Sequence, residues 1–371
     1  MSKLTIRSNN QIANSDEIAA ARAISDLANK VAAKSAFWDY QQLKSAATLE
    51  AHRRDLALFA GFINSVYERT TQTDNLESVT FRLSDRDLYE NPEAWIIASH
   101  GLVKLFKNYL ADNGFALSSI NRALSTVRKY ASLAMEADVI SPLDLAQIKN
   151  VNGFRHSESK NVDEKRARTR IGKKKVEAVP IPLLAIQELK NAGNYPQTAA
   201  GRRDLLVLTL FLDHGLRASE VAGLKVGDAD LSSGEMSVYR KKTKSTDLIQ
   251  LTHDSYHALR NYLENDGLPH PSAPLLRTSN KSGRLSKNPM TRITVSRLVN
   301  KYGKKMADKL GIPELRKLSA HDGRHQWATD ALEAGTPLND LQQAGGWKSP
   351  AMPLRYANKS KIANKGVKLN R

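Results

Sequence analysis

Several segments of the sequence contain residue types that can bind and attack a phosphate group. Arg217 has a guanidinium that can donate two parallel hydrogen bonds to phosphate oxygens and keeps its charge at any ordinary pH. His321 and Arg324 are three residues apart, so at the start of a helix both side chains can reach one phosphate. Tyr356 lies 32 residues beyond Arg324, and its weakly acidic phenol can act as a nucleophile in strongly cationic surroundings.

Lysines occupy the turn of a predicted hairpin. Alternating residues predict short strands at 235–240 and 247–251, and Lys241, Lys242 and Lys244 lie between them. A lysine can protonate a departing oxygen if neighbouring cations lower its pKa from the reference value of about 10.4.

Together these segments resemble the active site of the tyrosine recombinase, or phage integrase, family in its Cre-like or Xer-like branch. The resemblance is close from about residue 180 to 361 and weaker over 46–139. It is carried by His-Gly-Leu-Arg-Ala-Ser-Glu-Val-Ala-Gly-Leu at 214–224, Tyr-Arg-Lys-Lys-Thr-Lys-Ser-Thr-Asp at 239–247, Ser-Ala-His-Asp-Gly-Arg-His-Gln-Trp-Ala-Thr at 319–329, and Leu-Gln-Gln-Ala-Gly-Gly-Trp-Lys-Ser-Pro-Ala-Met-Pro-Leu-Arg-Tyr at 341–356.

The resemblance implies a role for each matching residue. Trp347 stands where many members have histidine, and its indole N–H can donate to a phosphate oxygen but cannot titrate. Counting from Arg217 favours Lys241 as the catalytic lysine, whereas counting back from the next strand favours Lys242, which is preferred; Lys244 is a third candidate. The lysines of the turn that are not catalytic are expected to contact DNA phosphates. His325 is expected to lie off the face shared by His321 and Arg324 and to be structural. The residues implied to be catalytic are Arg217, Glu220 in support, Lys242, His321, Arg324, Trp347 and the nucleophile Tyr356.

The family resemblance also implies the reaction: attack on a phosphodiester, a 3′-phosphotyrosyl intermediate, release of a 5′ hydroxyl and religation, without cofactor or metal. Family members act as tetramers on two paired sites of double-stranded DNA. Two alternatives remain open. One is a type IB topoisomerase or telomere resolvase, which also uses a tyrosine, and the other is a non-catalytic DNA-binding protein of the same fold.

Composition agrees with a nucleic-acid partner. The chain has 371 residues, with 56 Lys and Arg against 38 Asp and Glu, which gives a net charge of +18. Charge alone also permits a merely soluble basic protein or one that binds a membrane surface. The absence of cysteine fits a reducing compartment. Apolar runs are too short for a membrane span, so a cytoplasmic protein without membrane contact, nucleoid-associated when bound to DNA, is expected.

The sequence predicts two domains, and all the segments with candidate catalytic residues lie in the second. The predicted fold is mainly α: a two-domain DNA clamp with an all-helical core-binding domain and an α+β catalytic domain containing a small antiparallel sheet. A basic segment with nine Lys or Arg and three acids between residues 155 and 175 predicts a linker. The expected boundaries are a flexible or partly helical arm at 1–34, the core-binding domain at 35–140, the linker at 141–178 and the catalytic domain at 179–371.

Helical periodicity predicts the elements of the core-binding domain. Helices are expected at 46–66, at 92–110 and from Ser118 or Ser119 onward. The third helix has a predicted buried face of Ile120, Leu124, Val127, Ala131 and Ala134. Its other side has Arg122, Ser125 and Lys129, which could contact DNA phosphates and base edges or could simply be solvated.

Overall fold

Two separate units form in the computed structural model, residues 1–174 and residues 175–371. Helices predominate in both units, and the strands described belong to small antiparallel sheets in the second unit. The mainly helical fold class predicted from the sequence is therefore confirmed. The structure describes residues 15–74, 81–165, 178–241, 243–268 and 270–357.

The first unit consists of helices packed around one apolar core. Helix α5 lies against α1, α2, α4 and α6. Its predicted apolar face is fully buried, and burial of each leucine or valine contributes about 1.5–3 kcal/mol. The elements are α1 (Ser15–Gln42), α2 (Ala46–Asp74), α3 (Asp85–Glu90), a 3-10 helix (Pro92–Ile97), α4 (His100–Asp112), α5 (Leu117–Glu136), α6 (Pro142–Lys149) and α7 (His156–Lys165).

The segment 92–110, predicted as one helix, is interrupted. Ala98 and Ser99 both have extended backbone dihedrals, between the 3-10 helix and α4. Ser99 caps α4, because its hydroxyl accepts a hydrogen bond from the backbone N–H of Leu102 at 3.3 Å. A serine in this position favours a helix start over a helix interior, and apolar periodicity alone does not detect such a break.

The predicted linker at 141–178 begins too early. Ser141 caps α6 by accepting a hydrogen bond from the backbone of Asp144 at 3.0 Å, and Leu145 and Ile148 are buried in the core of the first unit. Two apolar anchors on an eight-residue helix give too weak a periodicity to be detected in the sequence. Residues 166–177 of this segment lie outside the described residues.

Helix α1 crosses the predicted boundary between the arm at 1–34 and the core-binding domain. Its C-terminal part is anchored by Phe37, which is buried with its ring centroid 5.4 Å from that of Tyr130. Its N-terminal part leaves Ile24 and Leu27 exposed. The arm is thus helical from Ser15 onward, and residues 1–14 lie outside the described part of the chain.

The second unit surrounds the apolar helix α9, which ends at Gly215 in the left-handed conformation. A Cβ atom on Gly215 would lie 2.3 Å from a ring carbon of Trp327, so this turn requires glycine. The elements are α8 (Leu183–Lys190), α9 (Ala199–His214), α10 (Ala218–Val221), β1 (Ala229–Asp230), β2 (Glu235–Arg240), β3 (Ser245–Gln250), α11 (His253–Asp266), β4 (Arg277–Ser279), β5 (Leu285–Pro289), α12 (Arg292–Leu310), α13 (Ala320–Glu333), α14 (Leu338–Ala344) and α15 (Ala351–Ala357).

Strands β1, β2 and β3 form one antiparallel sheet in that order. The predicted first strand at 235–240 matches β2, whereas β3 begins two residues earlier than predicted. The inward positions of β2 are Met236, Val238 and Arg240, which are all buried. This alternation brings one arginine into the interior of the unit. Across the described part of the chain, the helices are too short or too polar to span a membrane.

Candidate active site

An open pocket of about 930 Å³ in the second unit contains three of the predicted catalytic residues. Arg217, His321 and Arg324 come from segments far apart in the sequence and line this pocket together. Helix α12 forms another part of the wall and makes it strongly cationic. Its basic lining residues are Arg292, Arg297, Lys301 and Lys304.

Arg217 enters the pocket directly after the turn that ends α9. It is the N-terminal cap residue of α10, and its side chain remains 31% exposed. Glu220, one turn later, accepts a hydrogen bond from the Arg217 guanidinium at 2.6 Å and another from its backbone N–H at 2.9 Å. The carboxylate therefore holds the arginine at the pocket and leaves part of its guanidinium accessible.

Arg240 is a site residue that the sequence analysis did not identify. Its guanidinium is almost completely buried and donates to Glu220 at 2.8 Å, to Asp247 at 2.9 Å and to the backbone carbonyl of Ala344 at 2.8 Å. Arg240 thus joins the arginine segment, the lysine hairpin and the end of α14. The sequence did contain an indication of this role. The alternation of β2 places Arg240 on the same inward face as the apolar residues Met236 and Val238.

The carboxylate of Glu220 is shared by two arginines. Burial alone would raise the pKa of Glu220, but the backbone N–H of Arg217 and the charges of Arg240 and Arg217 outweigh burial and hold that pKa below its usual value. Glu220 is therefore ionised at neutral pH. A permanent negative charge beneath the pocket compensates part of the buried positive charge.

Arg324 is buried, with two of its donors committed to backbone carbonyls. It donates to the carbonyl of Gly215 at 2.8 Å and to that of Gly345, and its guanidinium lies 4.2 Å from the ring centroid of Trp347. Burial, followed by repulsion from Arg217, lowers the pKa of Arg324 to about 10. Arg324 is therefore still protonated at neutral pH.

Helix α13 presents His321 at the pocket from its first turn. A capping box defines this helix start, because Ser319 and Asp322 exchange side-chain and backbone hydrogen bonds. His321 is exposed, and its Nε2 lies 3.0 Å from Nε2 of His325. The expectation that His325 departs from this face is wrong, since residues four apart share one face of a helix.

Tyr356 lies on α15 and is buried, 3% exposed. Its ring centroid is 5.3 Å from that of Trp347 and 4.6 Å from that of His325. Trp347 therefore contacts both the nucleophile candidate and Arg324. Tyr356 itself is not among the residues that line the open pocket.

The lysine turn is only partly described. Lys242, the preferred catalytic lysine, lies outside the described residues. Lys241 and Lys244 are both exposed on the turn after β2. Lys244 has a positive φ of 57°, and its backbone N–H donates to the carbonyl of Arg240 at 2.8 Å. The turn is thus attached to the buried arginine.

The predicted DNA-binding face of α5 borders an open groove of about 570 Å³ in the first unit, lined by Arg122, Ser125 and Lys129. Arg122 also has an internal partner, because its guanidinium contacts the fully buried carboxylate of Asp55 at 2.8 Å. Lys129 lies over the ring of Tyr40 at 4.7 Å. Part of the hydrogen-bonding capacity of Arg122 is therefore used within the first unit, by Asp55.

Comparison with known proteins identifies the second unit. The family model described as "Phage integrase family" matches residues 182–362, a range that includes every site residue from Arg217 to Tyr356. The second unit therefore contains a region that matches the phage integrase family. The first unit lies outside the matched range.

Curated relatives agree with this assignment. A probable integrase/recombinase protein of Methanocaldococcus jannaschii is 30% identical over 161 residues, 43% of this chain and 47% of the relative. A tyrosine recombinase XerC of Syntrophus aciditrophicus is 28% identical over 170 residues, 44% of this chain and 51% of the relative. The chain spans about half the length of these relatives. A XerC of Actinobacillus pleuropneumoniae matches at 25% identity over 87% of both chains.

Among solved structures, the Tn1549 transposon integrase in complex with a circular intermediate DNA has a TM-score of 0.52 and 16% identity. The match covers 79% of this chain and 93% of that one. The same integrase in complex with transposon right end DNA also has a TM-score of 0.52, with coverage of 80% and 95%. At this identity the likeness shows that the fold is that of an integrase.

Proposed function

We propose that this protein is a site-specific tyrosine recombinase that cleaves and rejoins DNA strands through a 3′-phosphotyrosyl bond to Tyr356. The observation that carries the proposal is the convergence of Arg217, His321 and Arg324 on one pocket. Arg324 also binds the backbone of Gly345, close to Trp347 and the helix with Tyr356. The phosphate-binding residues and the nucleophile helix are thus parts of one connected site.

The two arginines would bind the scissile phosphate. Arg217 is held by Glu220, and Arg324 is held by two carbonyls, so neither guanidinium has to reorganise when negative charge develops on the phosphoryl oxygens. His321 would exchange a proton or donate a hydrogen bond to the same phosphate. The indole N–H of Trp347 would be a further donor.

The Tyr356 oxygen loses its phenolic proton to water and bonds to phosphorus, while the bond from phosphorus to the 5′ oxygen breaks and that oxygen takes up a proton. We assign this proton to a lysine of the turn and prefer Lys242 over Lys241 and Lys244. The buried ring of Tyr356 must leave its packing against Trp347 and His325 for the phenol oxygen to reach a phosphate in the open pocket. Movement of α15 is therefore part of the proposed cycle.

Double-stranded DNA is the proposed substrate, and the cytoplasm the proposed location. The cationic wall of α12, together with the net charge of +18, favours binding of a polyanion. Strand exchange between two sites requires several active sites, so we propose a tetramer on two paired sites. Arg122, Ser125 and Lys129 are the proposed contacts of the first unit.

The test uses nicked duplexes from the DNA that flanks the gene, which trap a cleaved intermediate. With EDTA present, the wild-type protein is expected to form a covalent adduct on a denaturing gel, and Tyr356→Phe is expected to bind the same DNA without forming an adduct. An equal adduct with both proteins would refute the assignment of Tyr356. Tight binding without an adduct by wild type would favour a DNA-binding protein without catalysis.

Two further assays distinguish a recombinase from a topoisomerase and identify the catalytic lysine. Joining of strands between two different duplexes supports a recombinase, whereas relaxation of supercoiled DNA without exchange supports a topoisomerase. Single variants Lys241→Ala, Lys242→Ala and Lys244→Ala in the same cleavage assay identify the catalytic lysine. We expect loss of cleavage with Lys242→Ala and only weaker DNA binding with the other two.

A further inference from the structure

Two imidazole rings lie side by side on α13. The centroids of His321 and His325 are 4.5 Å apart, and the ring planes are nearly perpendicular at 88°. Their Nε2 atoms are 3.0 Å apart, which is a hydrogen-bond distance. A hydrogen bond between two nitrogens needs one N–H and one lone pair, so a single proton lies between these two atoms.

The two rings have different surroundings. His321 is exposed and lines the pocket with Arg217 and Arg324. His325 is only partly exposed, and its ring meets Tyr356 edge to face. His325 therefore contacts both the pocket histidine and the residue proposed as nucleophile.

The chemistry of the phosphate decides the direction of this hydrogen bond. Phosphate oxygens accept hydrogen bonds, so a histidine that binds them must offer an N–H. Because Nε2 of His321 is engaged with His325, its Nδ1 is the nitrogen that can offer this N–H. A neutral imidazole has only one N–H, so Nε2 of His321 must then accept from His325.

We propose that His325 is a positioning residue that donates its Nε2–H to His321 and holds neutral His321 in the tautomer protonated on Nδ1. The same ring also packs against Tyr356 before the proposed movement of α15. Loss of the hydrogen-bonding partner of a metal-ligating histidine typically costs about 10- to 100-fold in activity, and we expect a change of similar size here. The direction of the hydrogen bond and the kinetic consequence both rest on the proposed function, whereas the NMR readout of the tautomer does not require DNA cleavage.

Two variants separate the hydrogen bond from the ring contact. His325→Phe keeps an aromatic ring against Tyr356 but has no donor, and His325→Gln keeps an N–H donor without the ring. His257→Phe is the matched control, because His253 and His257 form a second pair four residues apart on α11, outside the pocket. Thermal unfolding of all three variants checks that the chain is folded.

The first readout is the tautomer of His321 in the full-length protein. Long-range proton–nitrogen NMR of histidine rings distinguishes Nδ1–H from Nε2–H, and the signals of His321 are those missing in His321→Gln. We expect Nδ1–H in wild type, His325→Gln and His257→Phe, and a shift to Nε2–H in His325→Phe. An unchanged tautomer of His321 in His325→Phe would overturn the proposal.

The second readout is single-turnover cleavage of the nicked duplex. His325→Phe is expected to cleave about 10- to 100-fold more slowly at unchanged DNA affinity, with partial recovery in His325→Gln. A rate for His325→Phe within about twofold of wild type would also overturn the proposed role. If wild type forms no adduct at all, the recombinase proposal fails, and the NMR result alone decides whether His325 sets the tautomer.

Discussion

Arg240→Met would remove the charge that connects three segments of the site while keeping most of the volume of the side chain. The variant leaves Glu220, with a side chain only 3% exposed, with one arginine partner instead of two. Asp247 and the carbonyl of Ala344 also lose their donors. Removing one member of a buried ion pair costs about 3–5 kcal/mol.

The lower end of that range applies here. Glu220 keeps both hydrogen bonds from Arg217, and the side chain of Asp247 is 31% exposed and can be hydrated. We therefore expect a loss of about 3 kcal/mol in the free energy of unfolding of the second unit. For a unit of this size, such a loss lowers Tm by about 6–12 °C.

Urea and thermal unfolding of the full-length protein measure this loss. The matched control is Arg260→Met, because Arg260 forms an exposed pair with Glu264 on α11 and should contribute less than about 1 kcal/mol. Equal stability of Arg240→Met and Arg260→Met would show that the buried network does not hold the site together. The reasoning from burial and geometry would then be refuted.

Other perturbations test the same region. Gly346→Ala should destabilise the protein by about 1–3 kcal/mol in thermal unfolding, because φ is +57° and the new Cβ would lie 3.0 Å from Nε of Arg240. Gly311→Ala is the control: φ is +68° there, but a Cβ would have no neighbour within 4 Å, so this variant measures the cost of the backbone conformation alone. The lowered pKa of Glu220 means that its stabilisation is present above its unfolded pKa and is lost as the pH falls through its folded pKa. The difference in urea stability between wild type and Glu220→Gln should therefore shrink below about pH 4.5. Burial lowers the pKa of Arg324 to about 10, and a lysine at this position starts from a lower reference pKa than arginine. The side chain of Arg324→Lys should therefore lose its charge closer to neutral pH. Its cleavage rate should decline between about pH 7 and 9, while the rate of wild type stays level.

Local elements were predictable because they are encoded by neighbouring residues. The buried face of α5 follows from apolar residues spaced three and four apart, and β2 follows from alternation over six residues. The pairing of His321 and His325 follows from the same helical spacing and could have been predicted. Ser99 shows the limit, since a capping serine divides a segment whose apolar pattern continues across the break.

Contacts between distant segments were not predictable from residue types. Arg217, His321 and Arg324 were grouped through their resemblance to a family, whereas Arg240 matched none of the residues assigned from it. Its position in the site depends on the register of β2 and on three acceptors from different parts of the chain. One of these acceptors is the backbone carbonyl of Ala344. Every residue has such a carbonyl, so residue types do not show which one will accept a hydrogen bond.

Backbone carbonyls hold the site together in addition to the ion pairs of Glu220 and Asp247. Arg324 and Arg240 bind the carbonyls of Gly215, Gly345 and Ala344, which belong to the turn after α9 and the end of α14. A carbonyl acceptor neutralises no charge, so the net positive charge of the pocket remains available to a phosphate. The same hydrogen bonds fix the two turns that lead to Arg217 and to Trp347. Arg324 therefore both lines the pocket and holds two turns in place, whereas Arg240 has only the structural role.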